Sequence, residues 1–469
     1  MNRRKFLADA NCAALSSVGI LSTIANLRMI GNAAAGPIGG PGDYRALVCL
    51  FLHGGNDSFN MVVPTETAEY DNYAAVRTNL ALPAPTPSMA PGELLPLNVG
   101  NTPGRTFGLH PAMPELRTLF DAGDAALVAN VGTLVEPTTI AQYKNKSVSL
   151  PRSLFSHNDQ QREWQTSVPQ TALKTGWAGR LADRVMGFNP SNTVSMNISL
   201  NGTNLLQTGD ATFAYAIGRD GARTLTGAGS GIAAELNRVD GAKSLAEQAY
   251  RDVLRRAYAD EATRSYDTAE AFSAAFNAAT VNTAFPEHSL SENLEAVAKS
   301  IAARGPLGHN RQIFFVQYGG FDNHGELLVN HDDRLGNVDQ ALKAFWDSMV
   351  ELGLTDDVTL FTCSDFGRTL RSNGQGTDHA WGGNAIVLGG CVNGSNIYGT
   401  YPDDAELAIG TGLDVGFNGR VLPTTSCDEY FAELALWFGL PSSQLEEVLP
   451  NLDNFYSYSP TTPPLGILL

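Results

Sequence analysis

Continuous apolar runs of strand length alternate along the chain with glycine-rich polar clusters. Ala46 to Leu52 is apolar throughout and ends in His53-Gly54-Gly55-Asn56-Asp57-Ser58. Ile313-Phe314-Phe315-Val316 leads into Gly319-Gly320-Phe321-Asp322-Asn323-His324, and Val358-Thr359-Leu360-Phe361 into Ser364-Asp365-Phe366-Gly367-Arg368-Thr369. Ala125 to Val131 is a further run, and Thr377-Asp378-His379-Ala380-Trp381-Gly382-Gly383 a further cluster. Runs without polar alternation predict strands buried on both faces, as in a parallel sheet.

A different period lies between them. Leu335, Val338, Leu342, Phe345, Met349 and Leu352 recur at three- and four-residue steps and predict an amphipathic helix. Residues 242–280 are alanine-rich and charged, and with Leu290 to Ala303 they predict helices; Asp428 to Phe438 predicts one more. Residues 80–106, rich in Pro, Gly and Asn, predict a loop. From Gly308 to Gly390 the order is strand, loop, helix, strand, loop, strand. The expectation is an α/β fold with a mostly parallel central sheet and helices on both faces, over residues 43–469. Residues 200–300 are candidates for a helical cap or insertion.

With 469 residues, 43% of them hydrophobic, the chain has ample material for a large core. A net charge of −17 argues against binding nucleic acid or an anionic membrane, since the field repels polyanions. Asn2-Arg3-Arg4-Lys5-Phe6-Leu7, a mild apolar stretch to Ala25 and Ala33-Ala34-Ala35 before Gly36-Pro37 have the three-part layout of a secretory signal over residues 1–35. The arginine pair points to the twin-arginine translocase as a partner in export, with a linker at 36–42 and a periplasmic or extracellular mature protein. Such substrates cross already folded, often after a cofactor is loaded, which suits a metalloprotein. No later run is long and apolar enough to be a transmembrane segment. Cys12, Cys49, Cys363, Cys391 and Cys427 show no CxxC spacing; Cys49 and Cys363 fall in apolar runs as core residues, so neither a disulfide framework nor a cysteine metal site is expected.

Candidate chemistry gathers where strands end, the usual crevice of an open α/β sheet. Asp322 and His324 are two apart, so on extended backbone both leave on one side and can converge on one ion. Asp57 is either a ligand or a helix cap. In Arg152-Ser153-Leu154-Phe155-Ser156-His157-Asn158-Asp159-Gln160-Gln161, Ser156 is either a nucleophile at a helix start or an N-cap with Asp159 as its capping partner. Asp365 with Arg368 is a structural ion pair or an oxyanion holder beside a metal, and His379, next to Asp378, is a further ligand candidate. His331, Asp332 and Asp333 read as a polar group preceding the amphipathic helix, and His288 and His309 as surface residues.

These motifs in this order resemble the exported bacterial proteins grouped as domain of unknown function 1501: Gly-Gly-Asn-Asp after the first strand, Ser-His-x-Asp-x-Gln, Gly-Gly-x-Asp-x-His, Ser-Asp-Phe-Gly-Arg-Thr, Asp-His with glycines, and late Gly419-Arg420-Val421-Leu422-Pro423-Thr424-Thr425-Ser426. That family resembles the alkaline phosphatase and sulfatase superfamily, in which a metal pair activates a Ser, Thr or formylglycine against a phosphate or sulfate ester. The resemblance implies Asp57 as a ligand after the first strand and Ser156 as nucleophile. It implies Asp322, His324 and His379 on one metal, Asp365 on a second, and Arg368 as oxyanion partner. Two departures stand out. Phe366 follows Asp365 where the pattern has His, so a single-metal or calcium-like site is as open as a zinc pair, and the divalent metal is zinc, calcium, magnesium or manganese. The sulfatase signature is absent, because the Arg of Ser149-Leu150-Pro151-Arg152 comes one position early. The expected function is an exported metal-dependent hydrolase or transferase acting on an anionic phosphate or sulfate ester; the alternative is a non-catalytic binding or scaffold protein with an incomplete metal site.

Overall fold

The computed structural model describes residues 43–225 and 231–468; the expected signal at 1–35, the linker at 36–42 and Cys12 lie outside them. In chain order the strands are β1 (Arg45–His53), β2 (Val62–Pro64), β3 (Leu95–Leu97), β4 (Phe107–Leu109), β5 (Ala125–Gly132), β6 (Asn197–Ser199), β7 (Tyr215–Gly218), β8 (Gly221–Ala222), β9 (Arg311–Gly319), β10 (Val358–Ser364), β11 (Gly383–Leu388), β12 (Ile397–Gly399) and β13 (Thr425–Ser426). Ten form one sheet in the order β12-β5-β11-β10-β1-β9-β6-β7-β8, with β13 beside β5; β2, β4 and β3 form a small second sheet. From β7 through β10 every pairing is parallel, while β11 runs antiparallel to both β10 and β5. The fold is the expected mixed α/β architecture with a large, mostly parallel sheet.

Strand β1 explains the unbroken apolar runs. Ala46, Val48, Leu50 and Leu52 join one core cluster, and Leu47, Cys49 and Phe51 the other, because successive side chains point to opposite faces. Helices Leu327–Leu352, Ser289–Ala302 and Pro114–Ala122 cover the first face through Leu335, Leu294 and Leu116. Helices Trp177–Val185 and Cys427–Phe438 cover the second through Trp177 and Phe431, whose rings stack at 4.3 Å. Cys49, Cys363, Cys391 and Cys427 are free thiols. Among the described residues no helix is long and apolar enough to cross a membrane.

Several local expectations are corrected. The amphipathic helix begins at Leu327, so His331 lies inside it, fully buried, with Nε2 2.8 Å from Asn56 Oδ1. His309 is buried as well, its Nε2 3.0 Å from the Val194 carbonyl and its Nδ1 3.1 Å from Gln312 Nε2, so both ring nitrogens have a partner. His288 is half-buried and caps helix Ser289–Ala302, its Nδ1 accepting from the Ser291 N–H at 3.3 Å. Residues 242–280 are largely helical as expected, within Ala233–Ala246 and Val253–Ala278, whereas the expected loop at 80–106 contains β3.

Candidate metal centre

The parallel register brings three loops to one place: Leu52 lies opposite Ser364 and His53 opposite Gly319, so β1, β9 and β10 end together. The chains leaving them pass so closely that a Cβ on Gly54, which has φ +116°, would lie 2.5 Å from the Asp322 nitrogen. Only glycine fits there. Gly54 is therefore what lets the loop bearing Asp322 cross, while Gly55 leaves room for the Phe366 ring.

Asp322 is the hub. His324 Nε2 lies 3.0 Å and His379 Nε2 3.2 Å from its Oδ1, and His157 Nε2 3.5 Å from its Oδ2. Each imidazole is held from behind through its other nitrogen. His157 Nδ1 is 2.7 Å from Asp365 Oδ2, His324 Nδ1 3.1 Å from Asp378 Oδ1, and His379 Nδ1 2.8 Å from the Phe155 carbonyl. With those acceptors taking the Nδ1 protons, three Nε2 lone pairs face one carboxylate. Phe366 walls the cluster, its ring centroid 4.9 Å from that of His157 and 4.6 Å from that of His379.

Electrostatics favour the ligating forms of Asp322 and His379. Burial alone would raise the Asp322 carboxyl, but the Arg368 hydrogen bond and charge, with His324 and His157, hold it below the usual carboxylate range. Burial pushes the His379 imidazole down, the Phe155 carbonyl opposing, and His157 and Arg368 add to the fall. The neutral ring is the form that binds metal.

The donor set fits a cation. His324 and His379 Nε2 are 3.0 Å apart, close enough for both to reach one cation. A tetrahedral zinc with nitrogens at about 2.0–2.1 Å sets neighbouring nitrogens about 3.3 Å apart. His157, Asp322 and His379 each offer an atom within 4.8 Å of the others, and His324 adjoins this group, its Nε2 3.0 Å from both Asp322 Oδ1 and His379 Nε2. Backing each ring by a carboxylate or carbonyl is the usual support for a metal-bound imidazole.

The residues singled out in the sequence divide into two groups. Asp322, His324 and His379 come together. Asp365 lies behind His157, fully buried, accepting also from the Gly54 N–H at 3.0 Å and Gln161 Nε2 at 2.7 Å. Asp57 neither caps the short helix Ser58–Met61 nor joins the cluster: both its oxygens are held by the Arg77 guanidinium, and the pair is buried. Arg368 is fully buried and engaged by Asp322 Oδ1 at 2.7 Å, by Thr377 through Oγ1 and carbonyl, and by the Gly54 carbonyl. Ser156 precedes helix His157–Thr166, but its Oγ donates to Asp159 Oδ2 at 2.9 Å instead of accepting a backbone N–H, so no capping box forms. Ser153 and Phe155, just before it, hold φ of +47° and +71°, strained for side chains of their size.

Reading the sequence missed His157, Gln161 and Arg77. His157 and Gln161 are four apart on one helix and both reach Asp365, a spacing that places them on one face. Gln161 Nε2 also lies 2.9 Å from His53 Nε2. Arg77 sits in helix Thr67–Arg77, and no local pattern ties it to Asp57.

The fold and the site together define a mixed α/β protein with a histidine–carboxylate cluster in its strand-end crevice. The family described as protein of unknown function (DUF1501) matches residues 44–448, and the chain belongs to it. No curated protein matches the sequence. Among solved structures, the chain is similar to the lipoteichoic acid synthase LtaP from Listeria monocytogenes, at 8% identity and a TM-score of 0.32 over 86% of this chain and 74% of that one. It is similar also to Ps i-CgsB in complex with k-i-k-neocarrahexaose, at 8% identity and a TM-score of 0.33 over 88% and 77%. Likenesses this distant carry no argument about activity.

Proposed function

We propose that the chain is an exported hydrolase or transferase of phosphate or sulfate esters, dependent on one divalent metal held by His157, His324, His379 and Asp322. The observation that carries this reading is the convergence of three Nε2 atoms on one carboxylate, each ring anchored through Nδ1. Three imidazoles and a carboxylate suit zinc, or manganese, better than calcium or magnesium, which prefer oxygen ligands. The metal would supply Lewis-acid polarisation of an ester oxygen and a lowered pKa for a bound hydroxyl. Asp365, Asp378 and the Phe155 carbonyl orient the rings, and Arg368 holds the Asp322 carboxylate ionised.

Ser156 is the proposed nucleophile. Its hydroxyl donates to Asp159 Oδ2 at 2.9 Å, which places that carboxylate to take the proton as the oxygen attacks. The expected second metal has little to hold it, since Asp57 is clamped by Arg77, Asp365 serves His157, and Phe366 fills the wall. A non-catalytic binding protein is favoured by one observation: Asp57, the ligand candidate after the first strand, is held by Arg77, which leaves the metal site short of that ligand. A screen of phosphate and sulfate esters with wild type, Ser156→Ala and a His157→Ala, His379→Ala double variant separates the two. Turnover lost in both variants supports the enzyme; metal bound by wild type with no turnover anywhere supports the binding protein.

A further inference from the structure

We propose that Arg420 is the residue that receives the anionic oxygens of the substrate, an assignment that rests on the metal-centre reading above. The cation expected in this role, Arg368, has no exposed surface and is committed to Asp322, Thr377 and Gly54. An ester that reached the metal would meet no part of it. The net charge of −17 makes a local cation the more necessary for an anionic ligand.

Arg420 is half-buried and held in place from several sides. Its Nε donates to the His379 carbonyl at 2.9 Å, and its guanidinium carbon lies 4.2 Å from the Phe155 ring centroid. Its backbone N–H donates to Asp414 Oδ1 at 3.1 Å. A Cβ on Gly416 would come within 2.9 Å of the Arg420 Cδ, so the glycine leaves room for the arginine stem. Among the described residues no carboxylate pairs with the Arg420 guanidinium, and its two Nη groups donate to no protein acceptor.

The surroundings point the same way. Phe155 supports the guanidinium with its ring, takes His379 Nδ1 with its carbonyl, and adopts a left-handed backbone directly before Ser156. Arg420, Phe155 and His379 thus form one bracket joining a fixed cation to the metal ligands and the hydroxyl. A guanidinium stacked and fixed through Nε presents its remaining fork to a tetrahedral anion with little further ordering.

Phosphate and sulfate binding by calorimetry, alongside metal content, tests the assignment on wild type, Arg420→Ala and Arg420→Lys. The expected result is unchanged metal stoichiometry in all three, phosphate affinity at least tenfold weaker in the alanine variant, partial recovery in the lysine variant, and recovery of the alanine variant by added guanidinium. Undiminished phosphate binding in a metal-replete Arg420→Ala protein overturns it, as does a wild type that binds neither anion. Metal lost from both variants would make Arg420 only a positioning residue for His379 and also overturn it. Should the alanine variant fail to fold, the lysine variant decides, with weakened phosphate binding at full metal content the supporting outcome and wild-type binding the opposing one. A wild type without metal whose phosphate binding still depends on Arg420 would sink the metal reading alone.

Discussion

Replacing Asp365 by Asn isolates the support behind one ligand. The carboxylate is fully buried and accepts three donors: Gly54 N–H at 3.0 Å on Oδ1, and His157 Nδ1 and Gln161 Nε2, both at 2.7 Å, on Oδ2. An amide can serve one side only. If its oxygen keeps His157 and Gln161, its NH2 opposes the Gly54 N–H, and an unmatched buried donor costs about 1–3 kcal/mol of stability. If it flips, His157 loses the acceptor that fixes its tautomer. Losing such support typically weakens metal binding about 10–100-fold, equivalent to about 1.4–2.7 kcal/mol. Competition with a chromogenic chelator at pH 7 reads the affinity, and urea unfolding of the metal-free protein reads the stability. A folded Asp365→Asn protein that binds metal as tightly as wild type would refute the argument. Complete loss of metal from a protein of normal stability would make Asp365 a ligand itself.

Two further perturbations separate structural from ligating acids. Removing Arg77 as Arg77→Ala leaves a buried carboxylate unpaired and should cost about 3–5 kcal/mol in urea unfolding without changing metal content; metal lost on Asp57→Asn at unaltered stability would return Asp57 to the ligand set. Glu163 is buried, and burial pushes its carboxyl up to about 8, the Thr133 hydroxyl opposing only in part. Because the folded pKa exceeds the unfolded one, its contribution to stability is full below the unfolded value near 4.5 and is lost as pH rises through about 8. Glu163→Gln should therefore flatten the decline of melting temperature between pH 5 and pH 8, and an identical pH profile in wild type and variant would contradict this.

The sheet was legible because its central strands are buried on both faces, which leaves an unbroken apolar run in β1, β9 and β10. The stripe through Leu335, Val338 and Leu342 is likewise a local consequence of helix period. The reversed direction of β11 was hidden, since a buried strand reads the same either way. At the site, Asp322 and His324 were readable as neighbours on extended backbone after a strand. His157 sits beside the more conspicuous Ser156, and only its four-residue spacing to Gln161 marks the shared face. The Asp57–Arg77 pair and the Arg420 bracket join positions distant in sequence. Their partners are set by the folded loops, and a single chain offers no local sign of them.

The count of metal ions per chain tests the central claim most directly, by elemental analysis of the purified mature protein and of the His157→Ala, His379→Ala double variant. One ion per chain in the wild type, lost in the variant, is the result this centre predicts. Two ions per chain, none, or one that survives loss of both histidines would contradict it.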